Sequence, residues 1–155
     1  MEYKFETIKL KDLVQGSFDN LKLQADSKKL EFTFTSGYEG SVNADPQKLK
    51  QVIQNLIENS IKYTPAGFVR VATKEEGDSV IFSVSDSGLG ISPTLLPNLF
   101  GQEFVRDERI KREIKGTGLG LYIAQSIVTA HNGKIWAESE GDNKGSQFYV
   151  KLKRI

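Results

Sequence analysis

The chain has 155 residues, 38% hydrophobic and 26% charged, with a formal net charge of +1 at neutral pH. That length suits one domain with its own core, and so small a charge gives no long-range pull toward nucleic acid or an anionic membrane. The absence of cysteine and the single histidine exclude disulfides and thiolate metal centres and argue against an imidazole metal cluster, and no apolar run approaches the roughly 20 residues of a membrane span.

Residues 3 to 10 alternate weakly and predict an edge strand. Residues 11 to 28 carry Leu13, Val14, Phe18, Leu21 and Leu23 among polar residues, the pattern of a first helix. Leu30 to Phe34 alternates with period two and predicts a strand. Gly37 to Gly40 reads as a turn, and Ser41 to Asn43 as a short strand. Asp45-Pro46 then opens a helix, an N-cap residue followed by proline at the first helical position. Leu49, Val52, Ile53, Leu56 and Ile57 supply its core-facing stripe, and Pro65-Ala66-Gly67 closes it. Residues 68 to 74 and 79 to 86 predict a hairpin turning at Glu75-Glu76-Gly77-Asp78. A glycine-rich loop follows, then a short helix near Thr94 to Phe100. Residues 104 to 115 are crowded with charge and read as a mobile loop. Gly116 to Gly120 leads into a helix through about Ala130, stopped at His131-Asn132-Gly133. Strands at Lys134 to Ser139 and Gln147 to Leu152 close the chain. This order predicts a two-layer α/β sandwich, a mixed sheet with helices on one face.

Four features carry chemistry. With Asn55 set at 0° on a helical wheel, Asn59 lies at about 40° and Lys62 at about −20°, a polar ridge beside the apolar stripe. Such a ridge is either a solvated flank or a row of amides and an ammonium facing phosphate and a hard cation. On the strand from Val80, period two puts Asp86 on the same face as Val80, Phe82 and Val84. A carboxylate there caps a turn or accepts an exocyclic amine. Adenine offers that amine, whereas guanine presents a carbonyl that Asp86 would repel. Gly88 and Gly90, with Ile91, follow as a Gly-x-Gly loop that permits close backbone approach. Gly116, Gly118 and Gly120, with Thr117, Leu119 and Leu121 between and after them, precede a helix and suit a phosphate cradle. Their spacing is neither the dinucleotide fingerprint nor a P-loop.

In combination these features resemble the sensor histidine kinases. Asn55-Leu56-Ile57-Glu58-Asn59-Ser60-Ile61-Lys62-Tyr63-Thr64-Pro65 looks like their N box, and Asp86 to Ile91 like their first glycine box. Gly116 to Leu121 looks like the second, while Phe100 and Phe104 fall in the phenylalanine box. The resemblance covers nearly the whole chain. It implies the Bergerat-type ATP-binding fold shared with gyrase, heat-shock chaperone and mismatch-repair ATPases, with residues 1 to 155 as one catalytic and ATP-binding domain. It implies ATP and Mg²⁺ as ligands, with Asn59 on the metal, Asn55 on the metal–phosphate group, Lys62 on phosphate and Tyr63 against the nucleotide. It places Asp86 on the adenine amine, Gly88, Gly90 and Ile91 around the base, and Gly116, Thr117, Gly118, Leu119, Gly120 and Leu121 over the phosphates. Residues 104 to 115 would form the lid.

The spacing of Phe100 and Phe104 is one residue longer than the family pattern. Ser60 stands where alanine is usual, with no chemical consequence expected, and Asn132 stands where glycine is usual. Ser146 is a candidate hydroxyl beside the base. Asn55 occupies the place where the hydrolytic relatives carry a water-activating glutamate, and an amide cannot take that proton. The resemblance therefore implies a kinase that holds Mg-ATP and donates the γ-phosphoryl to a histidine on a separate helical dimerisation domain, in two-component signalling with a response regulator. His131, at a helix end, is expected to be structural, and Met1-Glu2-Tyr3 reads as an arbitrary starting point within a longer protein. No nucleic acid partner, a monomeric domain and a cytoplasmic location are expected, with membrane anchoring left to the parent. The alternatives are a non-catalytic nucleotide-binding regulatory module, or an ATPase or serine kinase of the same fold.

Overall fold

The computed structural model describes residues 2–100 and 119–155. Its elements run β1 (Glu6–Lys9), α1 (Leu10–Ser27), β2 (Glu31–Gly37), β3 (Ser41–Ala44), α2 (Pro46–Lys62), β4 (Phe68–Glu76), β5 (Ser79–Asp86), a 3-10 turn (Leu96–Asn98), α3 (Leu119–Ala130), β6 (Lys134–Glu138) and β7 (Ser146–Lys153). Five strands form one sheet in the order β2-β4-β5-β7-β6, parallel between β2 and β4 and antiparallel elsewhere. β1 and β3 make a separate antiparallel pair. Among the described residues three α-helices cover one face, α1 on β2, α2 on β4 and β5, and α3 on β6. The mixed sheet with helices on one face is thus the predicted architecture, extended by the small β1–β3 ribbon.

The central layer follows from two periodicities. In α2 the buried residues are Leu49, Val52, Ile53, Leu56, Ile57, Ser60 and Ile61. They face Val69 and Val71 of β4, Val80, Phe82 and Val84 of β5, and Phe148, Val150 and Leu152 of β7, all in one buried cluster. The start of α2 is fixed by Asp45, whose side chain accepts from the Lys48 amide at 3.1 Å, with Pro46 at the first position. Its end is held by Lys28, whose ammonium donates to the carbonyls of Ile61 at 2.6 Å and Lys62 at 3.1 Å. A cation on the last carbonyls also complements the helix dipole.

Three local expectations are corrected. The helix near Thr94 to Phe100 is only the Leu96–Asn98 3-10 turn. Pro97 has no N–H to continue an α-helical ladder. The β4–β5 turn is tighter than predicted: Glu75 and Glu76 remain in β4, leaving Gly77-Asp78, with Gly77 at φ +59°. Leu23, assigned to the first helix's apolar set, is 82% exposed; α1 buries Leu10, Val14, Ser17, Leu21 and Ala25 instead.

Candidate functional site

The ridge on α2 grades from core to solvent. Asn55 and Asn59 are half-buried and Lys62 is exposed, its ammonium 5.5 Å from the Tyr63 ring centre. The Asn55 amide nitrogen is buried and, among the described residues, has no hydrogen-bond partner. Against it lies Gly120, in the first turn of α3. A Cβ at Gly120 would stand 2.7 Å from Asn55 Oδ1 and 2.9 Å from Nδ2, so only glycine lets α3 start this close to the ridge. An unpaired amide donor beside a helix start, where backbone N–H groups lack intrahelical partners, favours an anion. Leu121 is buried behind it. Gly116, Thr117 and Gly118, like Phe104 and the expected lid at 104 to 115, lie outside the described residues, and Leu119 is the first residue of α3.

At the other end of the ridge sits Asp86, 7% exposed at the end of β5. Its Oδ1 accepts from the amides of Gly88 at 2.9 Å and Ser146 at 3.2 Å, and its Oδ2 from the Ser146 hydroxyl at 2.9 Å. Burial raises the carboxyl's pKa, and these donors oppose the rise. Asp86 is thus a buried acceptor held in one orientation. Gly88 has no room for a side chain: a Cβ would collide with the Tyr63 carbonyl and lie 2.7 Å from Thr64 Oγ1 and 3.0 Å from Asp86 Oδ1. Tyr63 is half-buried, which raises its hydroxyl pKa, and its carbonyl accepts from the Leu89 amide at 3.0 Å.

The rest of the first glycine loop is pinned by the loop before β7. Leu89's carbonyl accepts from the Asn143 amide at 2.7 Å, and Gly88's from the Gly145 amide at 3.2 Å. Gly90 has φ +73°. Ile91 is buried, and its amide donates to the Ser139 hydroxyl at 3.0 Å, which donates to the Gly145 carbonyl at 2.8 Å. Ser139, Asn143 and Gly145 carry no expected site role from sequence, because no local pattern marks a loop that packs against another some 50 residues away. Thr64, part of the N box but given no role there, is fully buried and donates to the Ser60 carbonyl at 2.6 Å. Ser146, the candidate hydroxyl beside the base, does reach Asp86.

From Asn55 to Tyr63 the ridge spans on the order of 12 Å of helix. It joins an end suited to phosphate to an end suited to an amine-bearing base. Among the described residues no group of three His, Asp or Glu side chains comes together as a metal cluster. The amide oxygens of Asn55 and Asn59 are hard neutral donors that, together with an anionic ligand, fit Mg²⁺.

His131 is bound on both sides. Its Nε2 accepts from the Asp45 amide at 3.1 Å, its Nδ1 donates to the Ile127 carbonyl at 2.7 Å, and Tyr3 and Phe5 pack edge-on against the ring. Both nitrogens serve the fold, as expected of a structural histidine. The Asp45 carboxylate beside it also accepts from the Lys4 amide at 2.8 Å, and this bond and the Lys48 one hold its pKa below the usual carboxylate range. Asn132 takes φ +57° in the helix stop, a left-handed conformation that asparagine tolerates better than most residues.

Residues 44–155, which contain the whole of this constellation, match the family model of histidine kinase-, DNA gyrase B- and HSP90-like ATPases. The chain belongs to this family. Its relatives include sensor proteins and sensor histidine kinases. It is 37% identical over 154 residues to the methyl sulfide methyltransferase-associated sensor of Methanosarcina acetivorans, covering 98% of the chain and 15% of that protein. It is 37% identical over 112 residues to the sensor histidine kinase RcsC of Escherichia coli, covering 72% of the chain and 12% of RcsC. The chain thus spans a small fraction of the length of the relatives it matches. Among solved structures, the nucleotide-free catalytic domain of the histidine kinase ThkA superposes with a TM-score of 0.84 at 28% identity, covering 97% of this chain and 96% of that one. Full-length ShkA in complex with AMPPNP shares the fold, with a TM-score of 0.84 at 24% identity over 99% of this chain and 32% of ShkA. No helix among the described residues is long and apolar enough to cross a membrane.

Proposed function

We propose that this histidine kinase-type ATPase domain binds Mg-ATP along the α2 ridge and donates the γ-phosphoryl to a histidine on a separate helical dimerisation domain, within a longer two-component kinase. The observation that carries this reading is the pairing of two unlike ends on one helix: the buried Asn55 amide, unpartnered among the described residues, against Gly120, and the buried, triply bonded Asp86 carboxylate. Asp86 accepts the adenine amine, a contact that a guanine carbonyl would repel. Gly88, Gly90 and Ile91 form the wall on which the base lies, and Tyr63 covers it. Asn55 and Lys62 bind phosphate, joined by Gly116, Thr117, Gly118, Leu119, Gly120 and Leu121 of the second glycine box. Asn59 would hold Mg²⁺, whose charge offsets that of the phosphates.

The site lacks a carboxylate at position 55 to deprotonate water. The nucleotide is therefore held with little hydrolysis until an imidazole is presented, and positioning with charge neutralisation supplies the catalysis. The test mixes the chain with Mg²⁺, γ-labelled ATP and a separately prepared helical domain carrying a phosphoacceptor histidine. Acid-labile label on that domain, with none on this chain, supports the proposal. Label on His131, or steady hydrolysis of roughly one ATP per second by the chain alone, would refute it. The response regulator that receives the phosphoryl next belongs to the same proposal.

A further inference from the structure

Among the described residues, three buried side-chain polar atoms have no hydrogen-bond partner: Ser17 Oγ, Asn55 Nδ2 and Ser60 Oγ. Asn55 belongs to the phosphate end, and Ser17 lies on α1, which contributes nothing else to the site. Ser60 is different. It is 2% exposed on the face of α2 that meets β5, and its own carbonyl is bound by Thr64 at 2.6 Å. The space in front of Gly88 is bounded by that same Thr64 hydroxyl on one side and by Asp86 Oδ1 on the other. The Ser60–Thr64 turn and the base-reading carboxylate therefore flank one small volume.

A buried hydroxyl without a partner is costly, and so is a buried carboxylate short of donors. One O–H···O⁻ bond relieves both, and a serine hydroxyl can turn to make it. Burial raises the pKa of Asp86, and the nearby Ser60 hydroxyl is among the groups that oppose that rise, after the Gly88 amide and the Ser146 hydroxyl.

We propose that Ser60 is a positioning residue for base recognition: its hydroxyl donates to Asp86 from the helix side, as Ser146 does from the sheet side, and strengthens the hold of Asp86 on an exocyclic purine amine. This rests on the reading of Asp86 as the base acceptor. A clamp from both layers fixes the carboxylate plane, so that the amine meets an acceptor already in place.

The test compares calorimetric affinities for Mg-ADP and for the diphosphate of purine riboside, which lacks the amine, in wild type, Ser60→Ala and Ser60→Thr. Wild type should prefer ADP, Ser60→Ala should lose about threefold to tenfold of that preference, and Ser60→Thr should retain it. A loosened fold would weaken both ligands alike and leave the ratio unmoved. An unchanged ratio in Ser60→Ala overturns the role of Ser60 and leaves the Asp86 reading intact. If wild type itself shows no preference, the Asp86 reading fails and takes this inference with it.

Discussion

Replacing Asp86 with asparagine separates what this carboxylate does for the ligand from what it does for the fold. In the native site Oδ1 takes the Gly88 and Ser146 amides while Oδ2 takes the Ser146 hydroxyl. An asparagine oriented to keep both amides on its oxygen turns its NH₂ toward the hydroxyl and the base. The hydroxyl can reverse and accept, but the adenine amine, itself a donor, cannot. A hydrogen bond to a charged acceptor contributes about 1.5–3 kcal/mol, so ADP affinity should fall by about 10- to 150-fold. Stability should move the other way. Burial raises the folded-state pKa of Asp86, so this group's contribution to stability is fully present below the ordinary carboxylate pKa and is lost as pH rises through the folded value. At neutral pH the charge is a burden on the fold, and Asp86→Asn should unfold at an equal or higher urea concentration. Nucleotide affinity, which needs the carboxylate, should instead fall as pH drops through that raised value. Calorimetric titration with Mg-ADP beside urea unfolding at pH 7 tests both parts. A variant that binds within about threefold of wild type, or one that loses binding because it has unfolded, would refute the reasoning.

Gly120→Ala sets a methyl against the Asn55 amide. It should weaken ADP binding by at least about tenfold while leaving the weak binding of adenosine nearly unchanged, because only phosphate contacts are disturbed; equal losses for both ligands would contradict this assignment. Leu56→Ala empties a 1%-exposed position in the central layer and should cost about 2–5 kcal/mol in urea unfolding. Asp45→Ala removes the acceptor of the Lys48 and Lys4 amides and should lower the urea midpoint at neutral pH. Because the folded pKa of Asp45 is depressed, its contribution is present above the ordinary carboxylate pKa and disappears as pH falls through the lower value. The two denaturation curves should therefore converge in acid, and a gap that persists there would show that the cap works by some other means.

The sequence by itself determined the parts whose physics is local. The stripe from Leu49 to Ile57 specifies which side of α2 is buried, and so places Asn55, Asn59 and Lys62 at its rim. Strict alternation along β5 carries Asp86 inward with Val80, Phe82 and Val84. Asp45-Pro46 sets the helix start where it is found. Local pattern was less reliable where one residue vetoes a run, as Pro97 does, or where an apolar residue such as Leu23 falls off the buried stripe. The tertiary structure alone decided the strand order with its parallel β2–β4 pair, the β1–β3 ribbon, and the partners of the site's polar groups. Asp86 meets Ser146 across 60 residues, and the Asp45 amide meets His131 across 86. Propensity and periodicity act over a few residues, whereas a buried polar group is satisfied by whichever distant segment the shared core brings beside it. The same limit applies to Ser60, whose burial with an unpartnered hydroxyl among the described residues is decided by the tertiary packing of α2 and not by the motif around it.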